Sequence, residues 1–326
     1  MKKVIIISVL TVLILGSCKK DTKTTTATTT TNPPAAPQLK FVFKFDSTQV
    51  RLNNVGMVST IPANHKTQSP RFNTMSSHYV ELAPDSLSAV GTGCKIYTTP
   101  TVPYPAGTYT DAIDFSQSVV VSQGQVFASK PLSQITPGTY KWIRVSLAYQ
   151  NYDINYSILS GTQVSPTYTL SSQYNGTGTI ASFIGYNTYI TSYKIKTQSV
   201  TVNAAKLQGY WGFESPYVQG GVTYTTTVIT GQSASGATTV VDPAATTIGV
   251  PAGSCLVTGK FVGPTGSTEP LVITGNETQD IVVTISLSTN NSFEWVEHTG
   301  DSNYNPANGD TVTDMGIRGL IPKLPH

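Results

Sequence analysis

From Gln38 onward apolar and polar side chains alternate with a period of two, the pattern of strands with one buried face. In "LKFVFKFD" (39–46), Leu39, Phe41, Phe43 and Phe45 share one face, with Lys40, Lys44 and Asp46 on the other. "GTYKWIRVSLAY" (138–149) sets Ile143, Val145, Leu147 and Tyr149 on one side. The same alternation predicts strands at "YKIKTQSVTV" (193–202), "GVTYTTTVIT" (221–230), "SCLVTGKFV" (254–262) and "DIVVTISLS" (280–288). β-branched and aromatic residues fill these segments, and Gly, Pro, Asn and Asp separate them. The stretch 73–90 is the one place where a short helix is expected.

A Pro-Gly or Pro-x-Gly turn feeds a strand three times, in "YPAGTYT" (104–110), "ITPGTYKW" (135–142) and "VPAGSCLV" (250–257). In Thr136-Pro137-Gly138-Thr139 the glycine falls where a type II turn needs positive φ. The irregular spacing of the three copies argues against a solenoid. The reading is an all-β protein whose body, residues 39–326, is an antiparallel β-sandwich. It predicts one composite body with two lobes, the alternative being two β-domains at 39–155 and 160–326.

Ahead of the body the pattern changes twice. Lys2 and Lys3 precede an apolar run from Val4 to Leu15. That run is too short for a bilayer core of roughly 30 Å, which needs about 20 residues, and has the length of a signal-peptide core. Leu15-Gly16-Ser17-Cys18 then resembles the lipobox of bacterial lipoproteins. The resemblance implies cleavage after residue 17, a diacylglyceryl group on the Cys18 thiol and an acylated new amino terminus. Several acyl chains hold a protein firmly where one does not. Residues 18–38 are rich in Thr, Pro and Ala and read as a disordered tether, reaching at most roughly 70 Å. Lys19 and Lys20 resemble the charged start common in outer-membrane lipoproteins of Gram-negative bacteria, on either face of that membrane.

Composition narrows the partners. Lys2 and Lys3 are two of the 20 basic residues, so their removal leaves 18 against 17 acidic ones. A near-neutral chain lacks the basic excess that nucleic acid requires. Charged residues make up only 11% of the chain, so Ser, Thr, Asn and Gln must cover much of its surface. Such a surface suits glycans or other envelope proteins. With Cys18 lipidated, Cys94 and Cys255 remain, and two thiols outside the cytoplasm are candidates for a disulfide.

"MSSHYVELAPDSLSAV" (75–90) followed by "ITPGTYKWIRVSLAY" resembles the N-terminal half of the MbnP-like β-sandwich lipoproteins, over residues 75–150. The family's namesake is associated with copper. The resemblance therefore directs attention to His65 and His78, with Met57 or Met75 as soft partners. No two of His65, His78, His298 and His326 have metal-site spacing, and no Cys-x-x-Cys occurs, so no metal and no cofactor are assigned. "DSNYNPANGD" (301–310) sets Asp301, Asn303 and Asn305 at alternate positions, as calcium loops do. Pro306 and Val312 stand where an EF-hand has glycine and glutamate, which favours a polar turn.

"SFEWVEH" (292–298) and "YWGFESPY" (210–217) combine aromatics with carboxylates. Trp211, Phe213, Trp295 and Glu297 are the candidate ligand platform, flat faces beside a hydrogen-bonding group. A glycoside hydrolase would require two of Glu214, Glu294 and Glu297 to converge. Nucleotide-binding and hydrolase motifs are absent from the sequence. The expectation is a non-enzymatic, lipid-anchored envelope protein that binds glycans or envelope proteins. Copper handling and surface glycoside hydrolysis are the alternatives.

Overall fold

The computed structural model describes residues 36–325 apart from 54–55, 87, 107–108, 167 and 234–253. Cys18 and most of the expected tether lie outside the described residues. The organising element is the strand Trp142–Ile158, 17 residues or roughly 56 Å long. Every residue from Ile143 to Ile154 is buried. Along one edge it pairs with Arg71–Ala83, which pairs in turn with Cys94–Thr98. Along the other its first half pairs with Cys255–Lys260 and its second half with Tyr174–Phe183. Tyr210–Gln219 and Val222–Gln232 complete this seven-stranded, wholly antiparallel sheet.

A four-stranded sheet packs over the first half. Its order is Leu320–Lys323, Ile281–Ser288, Gln38–Asp46 and Val126–Pro131. Leu39, Phe41 and Phe43 are fully buried in one core with Val145, Leu147, Val257, Ile285 and Leu287, as the alternation predicts. Phe43 and Phe127 stack within it at 3.8 Å and 3°. A second core under the other half of the long strand gathers Tyr152, Ile154, Tyr156, Phe213, Phe293 and Trp295. The two cores thus share one strand, and residues from Ala36 onward form a single unit. A boundary at residues 155–160 would sever the Trp142–Ile158 strand from its partner Tyr174–Phe183.

Among the described residues the regular structure is almost entirely strand, and the helical elements are three 3-10 turns of three residues each. Several expectations need correction. The segment expected as a short helix, 73–90, overlaps the strand Arg71–Ala83, whose last nine residues are all buried. Burial of both faces removes the alternation that marks a half-buried strand. The supposed single strand 193–202 is a hairpin, Asn187–Lys194 and Ser199–Leu207. Gly138 does not take positive φ but opens the strand Gly138–Tyr140, which pairs with Leu271–Ile273. The pairing is not everywhere antiparallel either. Gln38–Asp46 runs parallel to Ile281–Ser288, with Leu39 opposite Ile281 and Asp46 opposite Ser288.

Cys94 and Cys255 are free thiols. They sit on strands separated by Arg71–Ala83 and Trp142–Ile158, three strand spacings or roughly 14 Å, beyond the 7 Å or so that a disulfide spans. Burial, then the Asp314 charge, push the Cys255 thiol up to about 12, which makes it unreactive.

Candidate functional site

Beyond Asp153 the long strand loses its partner on one edge, because Arg71–Ala83 begins opposite that residue. The exposed edge at Asn155 and Ser157 is satisfied by other means. The Gln68 side chain acts as a substitute strand, its Oε1 accepting the Asn155 N–H at 2.8 Å while its amide donates to the Asn155 carbonyl at 2.9 Å. Two residues on, the Ser157 N–H donates to the Tyr304 carbonyl at 2.8 Å. A cleft of about 410 Å³ opens along this edge, a volume suited to a small ligand.

Its walls are hydroxyls and amides. Asn155 faces Thr177 and Ser157 faces Asn175 across the paired strands, and the Ser157 hydroxyl donates to Asn175 Oδ1 at 2.6 Å. Ser302 and Asn303 also line it, and Tyr156, Trp295 and Tyr304, all buried, border it with little exposed ring surface. Trp295 is buried, and its indole N–H has no acceptor within the protein. None of the cleft's lining residues carries a formal charge.

The four platform residues are not assembled as one surface. Phe213 and Trp295 are 3% and 2% exposed and belong to the second core, with the half-buried Trp211 packed against it. Of the four, Trp295 alone borders the cleft. Glu297 turns to its own loop, where its Oε1 accepts the Thr299 hydroxyl at 2.6 Å and the Gly300 N–H at 3.0 Å.

The other two carboxylates are committed elsewhere. Glu214 accepts the backbone N–H groups of Lys196, Thr197 and Gln198 at 2.9–3.0 Å, holding the hairpin turn that the sequence left unmarked. Burial works against its charge, but these bonds and the Thr197 hydroxyl hold the carboxyl below its ordinary range. Glu294 lies between two guanidiniums. Its Oε1 accepts from Arg51 at 2.5 Å and from Arg318 at 2.6 Å, and His65 Nδ1 stands 3.0 Å from its Oε2. Arg318 also pairs with Asp314 at 2.8 Å. Burial opposes the Glu294 charge, but Arg318 and the other donors outweigh it and keep the carboxyl low. At Asp314 burial prevails, and its carboxyl is raised.

No family model, curated protein or solved structure matches the chain.

His65 and His78, the pair that copper handling would require to meet, occupy separate places. His65 begins the short strand that reaches Asn155 through Gln68, whereas His78 lies in a bulge opposite Leu147. Residues 147 and 155 are eight apart, roughly 26 Å along an extended strand. His78 is 2% exposed, its ring edge-on to Tyr186 at 5.6 Å. Met75 is buried and Met57 exposed. Among the described residues no group of three or more His, Cys, Asp or Glu is arranged for a metal. No helix among them is long and apolar enough to cross a membrane. Sequence reasoning missed the cleft because Gln68, Asn155 and Asn175 are ordinary surface residue types that only pairing brings together.

Proposed function

We propose that this chain is a lipid-anchored envelope protein whose cleft binds an uncharged, hydroxyl-rich ligand of the glycan class without transforming it. The observation that carries the reading is a ligand-sized cleft lined by amides and hydroxyls, with no charged side chain. Sugar hydroxyls exchange hydrogen bonds with Asn, Gln, Ser and Thr. Glycoside hydrolysis has little support there, since Glu214 and Glu294 are tied into hydrogen-bond and ion-pair networks away from the cleft.

The test is a neutral-glycan array followed by titration calorimetry on the full chain. Asn155→Ala suits the purpose because the side chain is exposed and its backbone bonds to Gln68 remain. Binding is expected to weaken about tenfold, the equivalent of one lost hydrogen bond. Affinity should stay nearly constant between about 0.05 and 0.5 M salt, because no ion pair is formed. Failure of every neutral glycan to bind, or a steep salt dependence, would overturn the reading. Anchoring is tested separately. Cys18→Ser is expected to abolish labelling by a fatty-acid analogue and release the protein from membranes, and unchanged labelling would refute lipidation.

A further inference from the structure

We infer that Gln68 is the positioning residue of the cleft, its side chain clasping one wall to the other so that Asn155 and Ser157 are held ready for a ligand. The inference rests on the reading of the cleft as a glycan site. The lining comes from two separate sheets. Asn155, Ser157 and Thr177 belong to the seven-stranded sheet. Thr67, Gln68 and Trp295 belong to a three-stranded sheet of His65–Gln68, Phe293–Val296 and Thr311–Asp314. Among the described residues no strand ladder joins the two. They share the second core underneath, where Phe293 and Trp295 meet Tyr152 and Tyr156.

At the cleft the Gln68 amide replaces the missing ladder. Asn155 N–H donates to its Oε1 at 2.8 Å, and its Nε2 donates to the Asn155 carbonyl at 2.9 Å. Both contacts are to backbone, so the amide has one orientation; a flip would set N–H against N–H and oxygen against oxygen. The root of the side chain is fixed as well. Gln68 pairs in the strand ladder with Phe293, which is fully buried. With both ends held, the length of one side chain sets the spacing of the walls. Few residue types can do this. The contact needs a donor and an acceptor side by side, which glutamine offers and a glutamate carboxylate does not. Asparagine offers both but is one methylene shorter. A cleft whose walls are already spaced for the ligand avoids the ordering cost of assembling them on binding.

The experiment compares the full wild-type chain with Gln68→Met, which keeps the length and loses both bonds, and with Gln68→Glu. Amide hydrogen exchange at Asn155 reads the clasp without any ligand, and Gln68→Met is expected to speed it at least about tenfold. Calorimetry with maltohexaose, cellohexaose and chitohexaose reads the consequence. If the walls hold their spacing only about a tenth of the time, affinity falls about tenfold in Gln68→Met. In Gln68→Glu at pH 7 a carboxylate would face the Asn155 carbonyl, with a similar loss. Protonation restores the missing donor, so its affinity should recover about two- to threefold from pH 7 to 5 while that of wild type stays constant. The ionisable groups on the elements around Gln68, namely His65, Lys66, Arg71, Asp153, Glu294 and Asp301, are common to both proteins and cancel in that comparison. Asn155 exchange unchanged in Gln68→Met, or an affinity within about twofold of wild type, in a variant with native circular dichroism, would overturn the clasp. So would a Gln68→Glu affinity no more dependent on pH than that of wild type. Failure of all three hexasaccharides to bind the wild-type chain would overturn the glycan reading, and Asn155 exchange would then decide the clasp by itself.

Discussion

Glu294→Ala is expected to destabilise the protein by about 3–5 kcal/mol, the effect of removing one partner from a buried ion pair. The Arg51 and Arg318 side chains are each 8% exposed and the Glu294 side chain 4%. Without the carboxylate, two guanidiniums would share the site with Asp314 alone, which Arg318 already engages. The damage should spread, because the three residues come from distant segments. Arg51 follows the first strand, Arg318 precedes the last, and Glu294 belongs to the small sheet beside the cleft. Urea unfolding monitored by tryptophan fluorescence measures the loss. A change below about 1 kcal/mol would show that water reaches the guanidiniums. Glu294→Gln should be milder, since it keeps an acceptor oxygen but loses the charge.

Acidification from pH 6.5 towards 4 is expected to remove stability on the order of 3 kcal/mol through His78. Burial lowers its imidazole to about 4 from an ordinary 6.5, opposed by the Leu147 backbone. Neither ring nitrogen makes a well-formed hydrogen bond, and its ring neighbour Tyr186 is neutral in this range. The sign follows from proton uptake. Above pH 6.5 His78 is neutral in both states and its full contribution is present. Between 6.5 and 4 the unfolded chain takes up a proton that the native site refuses, so stability falls as pH falls. The slope approaches about 1.4 kcal/mol per pH unit within that window. Glu214, Glu294 and Asp153, all held below their ordinary ranges, add losses at lower pH. The informative interval is therefore pH 5 to 6.5, above the range in which the depressed carboxylates titrate, and the raised Asp314 carboxyl contributes equally to wild type and variant. His78→Leu should flatten the dependence there, and parallel slopes for variant and wild type would refute the assignment.

These effects arise from groups whose type was visible in the sequence but whose partners were not. In the sequence Glu294 reads only as one of three carboxylates that a glycoside hydrolase would bring together. Its ion pairs join residues 51 and 318, a relation that leaves no local signal. Glu214 shows the same limit from the other side. The turn between Lys194 and Ser199 contains no glycine, proline or asparagine, so 193–202 reads as one strand. A carboxylate from another strand supplies the hydrogen bonds that local turn residues normally provide.

Where water touches one face, the sequence was sufficient. Leu39, Phe41 and Phe43 are buried while Lys40 and Lys44 are only partly so, and that contrast is written in the residue types themselves. The all-β class follows from many such segments. Arg71–Ala83 lost the contrast because packing covers both its faces, and Ser76, Ser77, His78 and Glu81 are buried beside Val80 and Leu82. The parallel pairing of the first strand with Ile281–Ser288, the separation of Cys94 from Cys255 and the junction of Gln68 with Asn155 were decided only in three dimensions. Alternation is a local response to water and is therefore legible along the chain. Pairing, charge compensation and the cleft depend on which distant segments meet, and only the packed tertiary structure determines that.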